Sequence, residues 1–257
     1  MEIILAIIAV TLVFCCDRLL KARARRKRKF HPNHAHPINP RRPQKTRDGV
    51  HSTKPSGSLI PAKFDLANNE PGEALTKRAM SETGNPLGHT SWHLGADGEA
   101  MMADLLDRVS GASFTTLHSV PCPVGGDIDH LVIAKTGIWT INTKHHPKAV
   151  VEVMNDGLHA ENTEDSDSMI RRAKEEASSA ASVLTDGMGQ AIFVRPALAY
   201  VGGGRVTGTR QACGVVVMRG EDLAHYLSNL PQVLTAQEVA AIYRTARDSR
   251  IWWNAKE

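Results

Sequence analysis

Residues 125–146 read GGDIDHLVIAKTGIWTINTKHH, and the fold of the chain turns on how this stretch is read. Residues 127–134 are apolar and rich in β-branched side chains, residues 138–144 are β-prone again, and Lys135-Thr136-Gly137 between them has the chemistry of a turn. The pattern predicts two antiparallel strands joined by a tight connection. Successive strand side chains alternate faces, so Asp127 and Asp129 share one face of the first strand, and Asn142 and Lys144 share one face of the second. Acidic and basic groups are thereby expected to meet at neighbouring strand ends.

Outward from this pair, towards the N-terminus, residues 114–120 form a further strand. Residues 99–109 form a helix capped by Asp97 or Gly98, with Met101, Met102, Leu105 and Leu106 facing inward. Glu99 then falls in the first helical turn, where the helix dipole alone favours a carboxylate. Residues 83–95, with Gly84, Pro86 and Gly88, read as a loop packed down by Trp92, with His89 and His93 as loop hydrogen-bonders. Residues 69–81 read as a helix with Pro71 near its start.

Towards the C-terminus, a strand over 149–154 turns at Asn155-Asp156-Gly157 and returns over 158–162. A long helix over 166–185 presents Ile170, Ala173, Ala177, Ala180, Ala181 and Leu184 on one face, small enough to lie close on a sheet. Residues 191–201 and 214–218 read as buried strands, and residues 222–229 and 236–248 as helices, with Trp252 and Trp253 docking the C-terminus. Gly202-Gly203-Gly204 lacks a following Gly-Lys-Ser/Thr, which argues against a phosphate-binding loop. The order of elements predicts a mixed α/β domain with helices packed on a central sheet.

The N-terminal part differs in kind. Residues 3–16 are an unbroken apolar run, about 21 Å long as a helix at ~1.5 Å per residue. That is short against a hydrocarbon core of about 30 Å, and Leu19 and Leu20 extend it if Asp17 and Arg18 snorkel. The basic cluster at residues 18–29 follows the apolar run, whereas a cleavable signal peptide carries its charge before it. The expectation is an uncleaved single-pass anchor over residues 1–20 in the cell membrane, with the domain in the cytoplasm. Basic residues just inside a membrane also suit anionic lipid. Residues 21–61, rich in Pro, Arg, Lys, Asn and Ser, read as a disordered basic linker, because so few large apolar residues cannot offset chain entropy. His31, His34 and His36 in it are not read as a metal site. The domain itself is expected over 62–257, with its core at 95–201.

Residues 1–50 hold 12 of the 31 Lys and Arg but three of the 27 acids, which leaves 19 basic and 24 acidic residues elsewhere, a net of −5. The net +4 of the chain therefore belongs to its tail. A domain gripping duplex DNA mainly by its phosphates is more often basic overall, although a basic groove on an acidic domain remains open. The four cysteines, Cys15, Cys16, Cys122 and Cys213, have no zinc-like spacing, and a reducing compartment suits them best. Cys15 and Cys16 lie where the expected anchor ends and could carry acyl chains.

The sequence Gly-Glu at 98–99, Ile-Asp-His at 128–130 and Gly-Ile-Trp-Thr-Ile-Asn-Thr-Lys at 137–144 resembles the nuclease-related domain, a branch of the restriction-endonuclease-like superfamily. The resemblance implies a mixed central sheet flanked by helices and hydrolysis of nucleic acid, DNA here, with Mg²⁺ or Mn²⁺. It assigns Glu99, Asp129, Asn142 and Lys144 to the catalytic site, with Asp129, Asn142 and Glu99 towards the metal. Asn142 stands where the family pattern has Glu or Asp. At an effective dielectric of about 20, losing a charge 2–3 Å from a divalent ion matters by several kcal/mol. Asp127 or Glu152 could make up for it. The alternative is a nuclease-fold module that binds nucleic acid or a protein partner without cutting. His130, and less so His145 or His146, are further candidates for acid/base work.

Overall fold

The computed structural model describes residues 60–83, 91–160 and 165–253. The expected anchor at 1–20, the basic segment at 18–29, the linker as far as residue 59 and His89 lie outside the described residues. Among the described residues no helix is long and apolar enough to cross a membrane.

Strands β1 (Phe114–Pro121), β2 (Asp127–Ala134) and β3 (Gly137–His145) form an antiparallel meander. The turn is where the sequence places it, and Gly137 opens β3 at φ 131°, a conformation that suits glycine alone. Chain direction then switches, because helix α3 (Ser166–Met188) carries the chain over the sheet and brings β6 (Val194–Val201) parallel to β3. Strand β9 (Val215–Arg219) pairs parallel with β6, and the two-residue β8 (Gln211–Ala212) closes the edge, giving the order β1-β2-β3-β6-β9-β8. A smaller sheet of order β5-β4-β7 is built from β4 (Val150–Met154), β5 (Gly157–Ala160) and β7 (Arg205–Gly208). The fold is thus the expected mixed α/β sheet flanked by helices, with the 149–162 hairpin moved to a second sheet.

Helices cover both faces of the large sheet. On one face α3 and α5 (Ala236–Ala246) bury Val183, Leu184, Val239 and Ile242 against Leu117, Leu131, Ile133 and Ile138. On the other, α2 (Ser91–Asp107) and α4 (Gly220–Ser228) bury Met102, Leu106, Leu223 and Leu227 against Val132, Trp139, Ile141 and Ala199. Because β2 and β3 are covered on both faces, they read as continuous apolar runs.

Two expectations for the helices need correcting. Helix α1 runs Glu73–Thr83, and α2 begins at Ser91, so Trp92, His93 and Gly95 are helical and Glu99 lies mid-helix. Gly95, expected at the end of the loop, and Gly98, expected as a cap, serve close packing within the helix instead. A Cβ on Gly95 would lie 2.7 Å from Leu75 and one on Gly98 2.5 Å from the Cβ of His145. At the C-terminus Trp252 is fully buried and donates to the Ala246 carbonyl at 2.8 Å, while Trp253 is exposed. The short helix α6 (Arg250–Trp253) and two 3-10 turns, Ala62–Phe64 and Leu66–Asn68, are tied together by Arg247, which clamps the Asp65 carboxylate and donates to its Oδ1 from Nε at 2.8 Å. That pairing holds Asp65 below the ordinary carboxylate range.

Candidate active site

The antiparallel ladder between β2 and β3 runs from Ala134↔Gly137 to His130↔Ile141 and stops there. Beyond it the Asp129 side chain takes over from the backbone, its Oδ2 accepting the Thr143 N–H at 2.6 Å. A charge-assisted bond of this length fixes the carboxylate between Asn142 and Lys144 of the neighbouring strand. Asp129 and Lys144 therefore lie towards the same end of one strand pair.

Asn142 is buried and faces α3, where its amide nitrogen donates to Glu176 Oε1 at 3.2 Å and Oε2 at 3.4 Å. The nitrogen must be the atom turned to Glu176, since the amide oxygen would repel a carboxylate. Glu176 is 1% exposed on the sheet-facing side of α3, and Arg172, one turn earlier, binds its Oε1 from Nε at 2.9 Å. Arg172 also donates to the Gly125 carbonyl at 3.0 Å, which ties α3 to the loop before β2. The charge of Lys144 reaches Glu176 as well. An acid absent from β3 at position 142 thus has a neighbour on another element that carries one.

Glu99 comes from the opposite face of the sheet. Helix α2 lies against β3 so closely that His145 is wedged between Gly98 and Gly202, its Nδ1 hydrogen-bonded to the Leu94 carbonyl at 2.8 Å. This seat gives His145 a positioning role, and it brings the buried Glu99 to the same strand end, its Oε2 accepting the Gly72 N–H at 3.0 Å. The earlier explanation by the helix dipole does not apply to a residue in the middle of the helix.

Four carboxylates are gathered here: Glu99 from α2, Asp127 and Asp129 from β2, and Glu176 from α3. Burial pushes all four upward from the ordinary carboxylate range. For Glu99 the neighbouring charges of Asp127 and Glu176 add to burial and bring it to about 7. Asp129 is pushed well up, by burial first and then by Glu99, Glu176 and Asp127. Against four acids stand Lys144, Arg172 and Arg78, so full ionisation would leave an excess of one negative charge. Two unit charges 4 Å apart interact by about 4 kcal/mol at an effective dielectric of ~20, enough to keep protons on such a cluster or to recruit a cation.

The donor set suits a hard divalent cation. Every candidate ligand is oxygen, and Asp127 Oδ2 is buried without a hydrogen-bond partner, an arrangement that a cation or a proton relieves. Among the described residues no group of three or more His, Cys, Asp or Glu side chains is placed to hold a metal ion. Mg²⁺ does not demand such a group, since it is commonly held by one or two carboxylates and keeps its remaining waters. Glu152 is exposed on β4 of the smaller sheet and is not the compensating acid.

Behind Asp129 lies a second polar chain. The His118 and His130 Nδ1 atoms are 2.8 Å apart, and His130 Nε2 is 3.2 Å from the Thr143 hydroxyl, next to the N–H that holds Asp129. Burial drives His130 well below the ordinary histidine range and lowers His118, so both are neutral near pH 7. A fully buried neutral imidazole supports the strand end that carries Asp129 and is poorly suited to exchanging protons with a substrate.

Residues 94–201 match the family model described as the nuclease-related domain, a span that begins within α2, runs to the end of β6 and contains every residue named in the acid cluster. No curated protein and no solved structure matches the chain.

Proposed function

We infer, from the premise that residues 94–201 are a nuclease-related domain, that the chain hydrolyses phosphodiester bonds of DNA at the end of the β2–β3 pair with the help of Mg²⁺ or Mn²⁺. The observation that supports this is the gathering of four carboxylates from three elements, flanked by Lys144 and Arg172, where one strand ladder ends. Asp129, locked by Thr143, and Glu99 are the acids that would hold the ion, with Asp127 supplying the further charge. A bound divalent cation would polarise the phosphoryl group and generate a nucleophilic water at neutral pH. Lys144 would stabilise the negative charge that develops on the phosphoryl oxygens. Asn142 contributes no charge of its own; through Glu176 it keeps an acid close. The domain would be held at the cytoplasmic side of the cell membrane by residues 1–20, with residues 18–29 on anionic lipid.

The second reading, a non-cutting module that binds nucleic acid or a protein at the membrane, draws on the pairing of Arg172 with Glu176, which spends one acid on an internal salt bridge. Nicking of supercoiled plasmid by the full chain separates the two. Cleavage that needs Mg²⁺ or Mn²⁺ and is lost in Asp129→Ala and Lys144→Ala supports hydrolysis. Retention of plasmid without cleavage, unchanged by Asp129→Ala, supports the binding module. Fractionation of cells with and without residues 1–29 tests the tether, since a full chain found free of membranes would rule it out.

A further inference from the structure

A cavity of about 610 Å³ opens beside the acid cluster, walled by the two 3-10 turns, α1, α6 and the ends of β1 and β2. Its volume lies within the range of small-molecule sites. Two kinds of group line it together. Lys63, Lys77 and Arg78 supply positive charge, while Phe64 and Trp253 supply flat apolar surface. The Phe64 ring carries the Lys63 ammonium 4.7 Å and the Arg250 guanidinium 5.4 Å from its centre, and Trp253 is 57% exposed. The lining acids Asp65 and Glu73 are already bound by Arg247 and Lys77. Outside these two pairs stand Lys63, over Phe64, and Arg78, whose guanidinium lies 5.0 Å from the Trp92 ring centre.

The cavity shares a wall with the acid cluster. Asp127 lines it and carries the buried carboxylate oxygen that lacks a hydrogen-bond partner, and the charge of Arg78 reaches that carboxylate. A group bound here is therefore adjacent to the atoms proposed to cut. Cations suited to phosphate, an indole suited to a planar ring, and a volume that admits one base and its sugar describe a nucleotide. A base paired and stacked within a duplex cannot enter a side cavity without leaving its stack.

Resting on the reading of the site as a phosphodiesterase, we propose that this cavity is a subsite for one unstacked nucleotide of a DNA strand next to the bond that is cut. Its base lies against Trp253 and its phosphate against Lys63 and Arg78. The preferred substrate is then single-stranded or frayed DNA.

The test is fluorescence anisotropy of the full chain with labelled tetrathymidylate in EDTA, so that no cleavage intervenes. Trp253→Ala is expected to weaken binding roughly tenfold, the usual effect of removing a base-stacking aromatic, and Trp253→Phe to restore most of it. Arg78→Ala should weaken it severalfold. An abasic tetramer should bind the unaltered chain as poorly as tetrathymidylate binds Trp253→Ala, while a short duplex should not respond to Trp253. Thermal melting checks that each variant keeps the fold. Equal binding by the unaltered chain, Trp253→Ala and Arg78→Ala would overturn the subsite and place attachment elsewhere, for example on residues 18–29. Plasmid nicking bears separately on the catalytic reading. A chain that binds tetrathymidylate through Trp253 yet never nicks refutes that reading alone, and one that nicks while its tetrathymidylate binding ignores Trp253 refutes the subsite alone.

Discussion

Asn142 and Glu176 act as one unit, and single substitutions at either should reveal it. In Asn142→Asp a carboxylate would replace an amide whose nitrogen lies 3.2 Å from Glu176 Oε1. Without divalent cation this variant should lose roughly 2–4 kcal/mol of stability in urea melts, because a hydrogen bond gives way to like-charge repulsion. Mg²⁺ should return much of the loss; equal stability with and without Mg²⁺ would count against a cation between these groups. Glu99 makes a prediction about pH. Its folded value of about 7 exceeds the ordinary 4.5, so the unfolded chain releases this proton first and stability falls as pH rises from about 4.5 to about 7. The fall attributable to Glu99 is on the order of 3 kcal/mol. Glu99→Gln should remove that slope, to be read as the difference between the two stability curves. His130 and His118 slope the other way, since their depressed values weaken the fold as pH drops below about 6.5, so the difference curve isolates Glu99. At this scale Asp129 and Lys144 were legible from period-two alternation, which holds wherever a strand is regular. Glu176 was overlooked although it carried a signal: it lies three residues after Ala173 and four before Ala180, on the apolar stripe of its own helix. A charge on that stripe is a buried charge, and a buried charge needs partners.

Helix α2 is the element on which the site depends most, because it carries Glu99 to the end of β3 across a contact that only glycine allows. Gly98→Ala would drive a methyl group to 2.5 Å from the Cβ of His145. The helix must shift or the strand must give, which costs about 1–3 kcal/mol by the usual penalty for overpacking. Catalysis should drop more than stability does, since Glu99 moves with the helix; a Gly98→Ala chain with full activity and lowered stability would show that Glu99 is not part of the chemistry. The same glycines explain why the start of α2 was illegible. Gly95 and Gly98 lower helix propensity, and intrinsic propensity was the only guide to that boundary. Tertiary contact with Leu75 and His145 overrides it, and those neighbours are distant in sequence. Strands β7 and β8 were missed for a related reason. They are four and two residues long and largely polar, and they exist because β4 and β9 offer edges to pair with.

For the molecule as a whole, the acid cluster couples stability to divalent cations. An excess of negative charge buried between α2, β2 and α3 weakens the fold when it is ionised, and a cation that binds only the folded state restores it by mass action. Melting temperature should therefore rise with Mg²⁺ at pH 8 and much less at pH 5, where protons already occupy the carboxylates; NaCl at matched ionic strength should not reproduce the effect. The β2–β3 hairpin was legible from its apolar runs and its turn; the sequence reading assigned no order beyond it, and the parallel crossover to β6 comes from the structure. The second sheet was not legible, because strands that pair across 50 or so residues leave no local mark.

The most direct measurement is a calorimetric titration of Mn²⁺ into the full chain, beside Asp129→Asn and Glu176→Gln. The account predicts saturable binding near one ion per chain above pH 7, abolished by Asp129→Asn, weakened by Glu176→Gln, and accompanied by proton release as the raised carboxylates ionise. Absence of binding in the unaltered chain, or binding that both variants retain undiminished, would contradict it.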